Sequence, residues 1–125
     1  MKQNISDFGI GTAPRALFEF LEKWANRDWE GMSKITQITW RKNESHPIDW
    51  IQKWYSQKRL TSFKIKATYI DGLLARCIAE LRFGILRKNV QFRIIKESDA
   101  YQPSQDGQWG VNPIFGLKAF KGDAQ

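Results

Sequence analysis

Three consecutive segments within residues 61–98 alternate between apolar and polar side chains, and this pattern constrains the fold most strongly. Residues 61–70 have an apolar residue at every second position, which predicts a half-buried β-strand. Asp71-Gly72 follows, and this pair is typical of a tight hairpin turn because both central residues need positive φ. Residues 73–83 and 90–96 continue the alternation on either side of Gly84 and a polar run at 87–89, which we expect to form a turn. The sequence therefore predicts an antiparallel meander of three strands.

Three helices are predicted before this meander. The first starts at Thr12-Ala13-Pro14, where proline suits the first turn, and the second starts at Asp28, a good N-cap residue. The third starts at Pro47, with Ser45 or His46 as its cap. Apolar residues at helical spacing support each helix: Leu17, Phe20, Leu21 and Trp24 in the first, Trp29, Met32, Thr36 and Trp40 in the second, and Trp50, Ile51, Trp54 and Tyr55 in the third. A strand over residues 35–40 is the alternative to the end of the second helix.

The 125 residues are enough for one domain with a hydrophobic core. We assign residues 1–12 to a flexible N-terminal arm, 13–116 to a single α+β roll and 117–125 to a C-terminal tail. Residues 108–111 are predicted to add a short fourth strand, with Trp109 pointing inward. Helices that precede a meander bury their apolar sides best on one face of a curved sheet of three to four strands.

This order of elements resembles the nuclear transport factor two-like superfamily, the cone-shaped, cystatin-like fold shared with ketosteroid isomerase and scytalone dehydratase. The residues that carry the resemblance are the run 17–24 leading into 28–32, the short helix 48–55 and the closing segment 107–113. The resemblance implies three N-terminal helices packed on a curved antiparallel sheet. Members of the superfamily include isomerases, dehydratases, ligand carriers and noncatalytic protein-binding or assembly domains, so the fold alone does not select a function.

The residue types give weak support for catalysis or metal binding. The chain has one histidine, His46, and one cysteine, Cys77, and it has no clustered carboxylates or glycine-rich phosphate loop. We therefore assign no catalytic residue, no metal ligand and no cofactor. For a small-molecule pocket protein or an isomerase-like or dehydratase-like enzyme, the candidate pocket residues are Tyr55, Tyr69, Glu80 and Trp109.

The net charge of +7 favours polyanionic partners. Lysines on the polar side of the first strand could join arginines of the later strands to form a basic sheet face. The candidate residues for nucleic-acid binding are Lys64, Lys66, Arg76, Arg82 and Arg93.

The first hypothesis for function is a noncatalytic protein-interaction or assembly module, acting as a homo-oligomer or as an accessory or virion subunit. Nucleic-acid binding through the basic face is the second hypothesis, and a pocket protein is the third. No N-terminal apolar run is long enough for a signal sequence, and none approaches the roughly 20 residues of a membrane span. The sequence thus predicts a soluble protein of the cytoplasm or of a virion, without a membrane partner.

Overall fold

The computed structural model describes residues 2–116 and shows an α+β fold in which the helices precede an antiparallel sheet. The α+β class predicted from the sequence is confirmed. A 3-10 helix, Ile5–Asp7, is followed by α1 (Ala13–Ala25), α2 (Trp29–Ser33), α3 (Ile38–Asn43) and α4 (Pro47–Tyr55). The strands are β1 (Ser62–Asp71), β2 (Leu74–Phe83), β3 (Leu86–Asp99), β4 (Gln102–Pro103) and β5 (Gln108–Val111). Within the described residues, no helix is long and apolar enough to cross a membrane.

The helix starts agree with the sequence prediction. The Thr12 side chain accepts a hydrogen bond from the backbone N–H of Arg15 and caps α1. The Asp28 carboxylate accepts one from the N–H of Gly31 at 2.9 Å and caps α2. α4 begins at Pro47, as expected for a residue whose missing N–H would have no intrahelical partner.

The single helix predicted from Asp28 to Trp40 is wrong, because α2 ends at Ser33 and α3 begins only at Ile38. The intervening chain pairs with β5 instead. The N–H of Gln37 donates to the Val111 carbonyl at 2.9 Å, and the N–H of Val111 donates to the Ile35 carbonyl at 2.8 Å. These backbone hydrogen bonds replace the helical ones. The alternative prediction, a strand over residues 35–40, is correct only at Thr36, which forms an isolated β-bridge with Val111.

β1, β2 and β3 form the predicted meander, and β4 and β5 both pair with β3. The two hairpin loops are Gly72-Leu73 and Gly84-Ile85, with glycine φ angles of 64° and 68°. The first turn therefore lies one residue later than predicted, because Asp71 is already paired with Leu74. Positive φ only at the first loop residue is the pattern of a type II′ turn. Residues 87–89, predicted as a turn, belong to β3 because the chain has already reversed at Gly84.

The core fills the space between the helices and one face of the sheet. Its four largest fully buried side chains are Trp24, Tyr55, Phe20 and Phe92. The Trp24 indole N–H donates to the Tyr55 carbonyl at 3.0 Å, and the Tyr55 hydroxyl donates to the carbonyl of Pro113. These contacts join α1, the end of α4 and the chain after β5 around a ring-filled interior.

The segment predicted as a flexible arm packs against α1 and β1. The Phe8 and Phe18 rings lie 5.5 Å apart. The Gln3 side-chain amide both donates to the Ile65 carbonyl and accepts from the Ile65 N–H, each at 2.8 Å. This pair of hydrogen bonds occupies part of the free edge of β1. The tail predicted at residues 117–125 lies outside the described residues.

Candidate functional site

The sheet has a second face, which points away from the helices and which we call the outer face. Cross-strand register places the following residues on it: Lys64, Ala67, Tyr69 and Asp71 of β1; Leu74, Arg76, Ile78, Glu80 and Arg82 of β2; and Arg87, Asn89, Gln91, Arg93 and Ile95 of β3. Five of these side chains are cationic and two are acidic. The outer face is therefore basic.

A bulge in β1 decides which side chains reach the outer face. The register shifts between Ile65 and Ala67, so Lys66 is an extra residue without a partner in the register. Thr68 then turns to the core side, where its hydroxyl lies 3.6 Å from the buried Cys77 sulfur. Tyr69 turns outward and is 54% exposed. The parity predicted for the second half of β1 is therefore wrong, since strict alternation would have placed Tyr69 with Ile65.

Four side chains form a row across the outer face, which we call the arginine row: Tyr69, Arg76, Arg93 and Phe115. Tyr69 lies opposite Arg76, and Arg76 lies opposite Arg93, in adjacent strands. The Arg76 guanidinium carbon is 5.6 Å from the centre of the Tyr69 ring. That of Arg93 is 4.8 Å from the centre of the Phe115 ring. Each arginine is thus stacked on an aromatic ring.

The arginine row carries positive charge without an internal counterion. Within residues 2–116, neither Arg76 nor Arg93 has a carboxylate partner. The Nε of Arg93 is buried and has no hydrogen-bond partner in the same part of the chain. Like charges placed directly opposite each other destabilise a sheet. An anion bound to the two guanidinium groups would remove this repulsion.

Glu80 offsets part of the positive charge at the other end of the outer face. Its carboxylate lies 3.9 Å from Arg82 and 3.5 Å from Arg87, and Lys64 is opposite it in the register. The remaining acidic residue, Asp71, stands at the hairpin end of β1. Arg76 and Arg93 therefore differ from Arg82 and Arg87 in having no carboxylate partner among residues 2–116.

The structure brings four of the five predicted basic residues onto one face: Lys64, Arg76, Arg82 and Arg93. Lys66 is exposed at the bulge. Sequence reasoning missed Arg87, because residues 87–89 were interpreted as a turn. It also missed the contact between Phe115 and Arg93, for which strand alternation carries no signal.

The four predicted pocket residues do not come together. Tyr55 is fully buried in the core, and burial raises the pKa of its hydroxyl well above the usual range. Tyr69 and Glu80 lie on the outer face. Trp109 lies at a separate cleft of about 360 Å³ between the start of α1 and β5, and the Lys96 ammonium is 5.8 Å from its ring centre.

The remaining polar groups of interest have structural roles. Burial raises the pKa of the Cys77 thiol, an effect that the contact with Thr68 partly offsets. The buried Glu97 carboxylate accepts hydrogen bonds from the backbone and the hydroxyl of Thr39, at the start of α3. Among the described residues, no three His, Cys, Asp or Glu side chains are close enough to hold a metal ion.

Comparisons with known proteins inform the fold. No protein-family model and no curated protein matches the chain. The solution structure of a SEC-C motif-containing protein from Rhodopseudomonas palustris is similar, with a TM-score of 0.57 and 14% sequence identity. The match covers 86% of this chain and 80% of the other. At this identity the similarity shows the fold alone.

Proposed function

We propose that the protein is a noncatalytic interaction module that docks an anionic partner on the outer face of its sheet. The observation that carries this proposal is the arginine row, where two facing guanidinium groups have no carboxylate partner in residues 2–116. Arginine and tyrosine are enriched among the residues that dominate binding energies. An exposed basic face with aromatic ends is suited to docking.

The packing of the interior supports a noncatalytic function. In a cone-shaped enzyme, a general acid or base would be expected inside the cone. Here aromatic side chains occupy that space: the Trp24 and Tyr55 rings are 4.9 Å apart, and the Phe20 and Phe92 rings are 6.5 Å apart. The resemblance to the nuclear transport factor two-like superfamily is compatible with this proposal, because that superfamily includes noncatalytic binding and assembly domains.

The charge of the outer face argues against pairing with a second copy through this surface. A two-fold contact of the face with itself would bring the arginine rows of two subunits together, and like charges across an interface cost several kcal/mol, on the order of 3. A homo-oligomer would therefore use another surface. An acidic protein and a nucleic acid both satisfy the charge requirement.

A comparison of two charge-matched variants tests the proposal. The first variant, Arg76→Glu/Arg93→Glu, reverses the charge of the arginine row. The control, Lys2→Glu/Lys34→Glu, changes the net charge equally at exposed sites away from the outer face. Both are passed over a heparin column in a salt gradient, with light scattering of the eluted protein to give its mass. We expect the first variant to elute at clearly lower salt than the control, with the oligomeric state unchanged. Equal elution of the two variants would show that only total charge matters and would contradict the proposal.

A further inference from the structure

We infer that the anionic partner is a single-stranded nucleic acid, with a phosphate held between Arg76 and Arg93 and bases stacked on the aromatic residues of the arginine row. This inference rests on the proposed function and names the class of partner. It follows from the order of the four side chains across the sheet, in which two cations lie between two aromatic rings.

The two arginines are placed to bind one phosphate group. Side chains directly opposite each other in an antiparallel pair start from Cβ atoms about 5 Å apart, so both guanidinium groups can reach the same anion. A guanidinium group has a planar fork of N–H donors that fits phosphate oxygens. The Arg76 guanidinium lies over the Tyr69 ring and the Arg93 guanidinium lies over the Phe115 ring, and the Arg93 Nε has no hydrogen-bond acceptor within residues 2–116. Both guanidinium groups therefore have an aromatic contact before any ligand binds.

The aromatic residues distinguish a single strand from a duplex. In a duplex the faces of the bases are stacked on one another, whereas a single strand can turn its bases onto aromatic side chains. Tyr69 is 54% exposed. The neighbouring positions on the outer face are Ala67, Ile78 and Gln91 on one side of the arginine row, and Asp71, Leu74 and Ile95 on the other. A base that stacks on Tyr69 therefore meets apolar surface on the side of Ala67 and Ile78.

An acidic peptide uses these features less completely. Its carboxylates would pair with Arg76 and Arg93, but aspartate and glutamate side chains have no π-face to stack on Tyr69. The combination of guanidinium groups, exposed tyrosine and an apolar flank therefore favours a ligand that alternates anionic groups with flat rings. Single-stranded RNA and DNA have this chemistry.

Fluorescence anisotropy with the full-length protein tests the inference. The probes are a labelled ten-nucleotide oligouridine, a labelled duplex of equal length and a labelled ten-residue polyglutamate, each measured over a series of salt concentrations. The variants are Arg76→Ala and Tyr69→Ala. Tyr101→Ala is the matched control, because Tyr101 is also exposed, at 72%, and lies outside the outer face. Circular dichroism checks that each variant is folded.

We expect the single strand to bind at least about tenfold more tightly than the duplex or the peptide, because loss of one stacked base costs about that much. Tyr69→Ala should weaken binding of the single strand about tenfold without changing the salt dependence. Arg76→Ala should weaken binding of the single strand and reduce the slope of log affinity against log salt by up to about one phosphate contact, since Arg93 still contacts the same phosphate. Tyr101→Ala should leave both quantities unchanged.

The outcomes separate this inference from the proposed function. If single strand and duplex bind equally and Tyr69→Ala has no effect, while reversal of Arg76 and Arg93 still abolishes binding, the single-strand inference is wrong and the docking function stands. Tighter binding of polyglutamate than of oligouridine would contradict the nucleic-acid inference and would indicate an acidic protein as the partner. If none of the three probes binds at low salt, both proposals fail.

Discussion

The two faces of the meander are made by alternate residues of the same strands, yet one face is apolar and buried and the other is charged. On the core side of β2, the residues Ala75, Cys77, Ala79 and Leu81 are all fully buried. On the outer side of the same strand, Arg76 faces a second arginine, and Glu80 forms ion pairs with two others. The apolar side chains of the core face pack against other apolar side chains of the same chain. The outer face contains a charge pair that the described chain leaves unbalanced.

This difference assigns stability and binding to different sides of one sheet. A side chain on the core face loses many close contacts when it is shortened, because a protein interior is densely packed. An exposed side chain on the outer face, such as Tyr69, makes fewer contacts, and its replacement changes stability by only about 0.5 kcal/mol. Substitutions on the core face should therefore lower stability more than substitutions on the outer face.

The largest effect is expected for Phe92→Ala. Phe92 is fully buried and packs against Phe20, with ring centres 6.5 Å apart. Truncation of a buried phenylalanine costs about 3–5 kcal/mol, because it leaves a cavity. Urea unfolding followed by tryptophan fluorescence would measure the change. Tyr69→Ala is the matched truncation on the outer face, with an expected cost below about 1 kcal/mol. Similar losses for the two variants would contradict the division between the faces.

The second prediction concerns Gly110, where β5 approaches the connection between α2 and α3. A Cβ atom at this position would lie 2.7 Å from both the Cα of Gln37 and the carbonyl oxygen of Thr36. Both contacts are with backbone, so Gly110→Ala should cost about 1–3 kcal/mol by overpacking.

Thermal unfolding would measure this cost, with Gly9→Ala as the control. A Cβ at Gly9 would meet only the methyl group of Thr12, at 3.3 Å, and the expected change is below about 0.5 kcal/mol. If Gly110→Ala were as mild as the control, the close pairing of residues 35–37 with β5 would be wrong.

The third prediction concerns the buried hydroxyl of Tyr55. Tyr55→Phe leaves the Pro113 carbonyl without its donor, and an unsatisfied buried acceptor costs about 1–3 kcal/mol. Tyr101→Phe removes an exposed hydroxyl and should change stability little. Urea unfolding of both variants at pH 8 gives the comparison, and equal stability of the two would exclude a structural role for the Tyr55 hydrogen bond.

The same variant predicts a dependence on alkaline pH. Burial raises the pKa of Tyr55 in the folded state, whereas the unfolded chain ionises this group near a pKa of about 10. Above about pH 10 the unfolded state therefore binds fewer protons than the folded state, and stability falls as the pH rises. Tyr55→Phe lacks this contribution, so its deficit relative to wild type should shrink between pH 10 and 11 by up to about 1.4 kcal/mol. A constant deficit over this range would be contrary to the expectation.

The elements of the fold that depend on local signals could be predicted from the sequence. Thr12 and Asp28 cap helices as expected, and the alternation after residue 61 forms the meander. The break after Ser33 could not be predicted, because it depends on hydrogen bonds to Val111, far away in the chain. Helical periodicity continues through this break and favoured a single helix, and the alternative of a strand over residues 35–40 was the only local sign of it.

The candidate site could be predicted only where it depends on local strand alternation. Simple alternation places Arg76, Arg82 and Arg93 on one face, and the structure agrees. The position of Tyr69 depends on the bulge at Lys66, which changes the parity of everything that follows it in β1. Phe115 lies in the helical residues 113–116 after β5, and its contact with Arg93 is set by the tertiary fold.

The smallest and most specific prediction concerns the facing pair Arg76 and Arg93. Arg76→Glu and Arg76→Gln both remove the stacking on Tyr69, but only the glutamate places an opposite charge beside Arg93. Arg76→Glu should therefore be more stable than Arg76→Gln by about 0.2–1 kcal/mol at low salt. The difference should shrink at high salt, because exposed charges are screened.

The same two substitutions should be made together with Arg93→Gln, and urea unfolding would complete the cycle. Without the arginine at position 93, the glutamate should have no advantage over the glutamine. If the advantage persists, the outer face does not contain a repulsive arginine pair, and the argument for an anionic partner loses its basis. The advantage should disappear, and both position-76 variants should bind oligouridine weakly. Wild-type Arg76 then destabilises the free protein by repulsion from Arg93, while its positive charge contributes to binding of a phosphate.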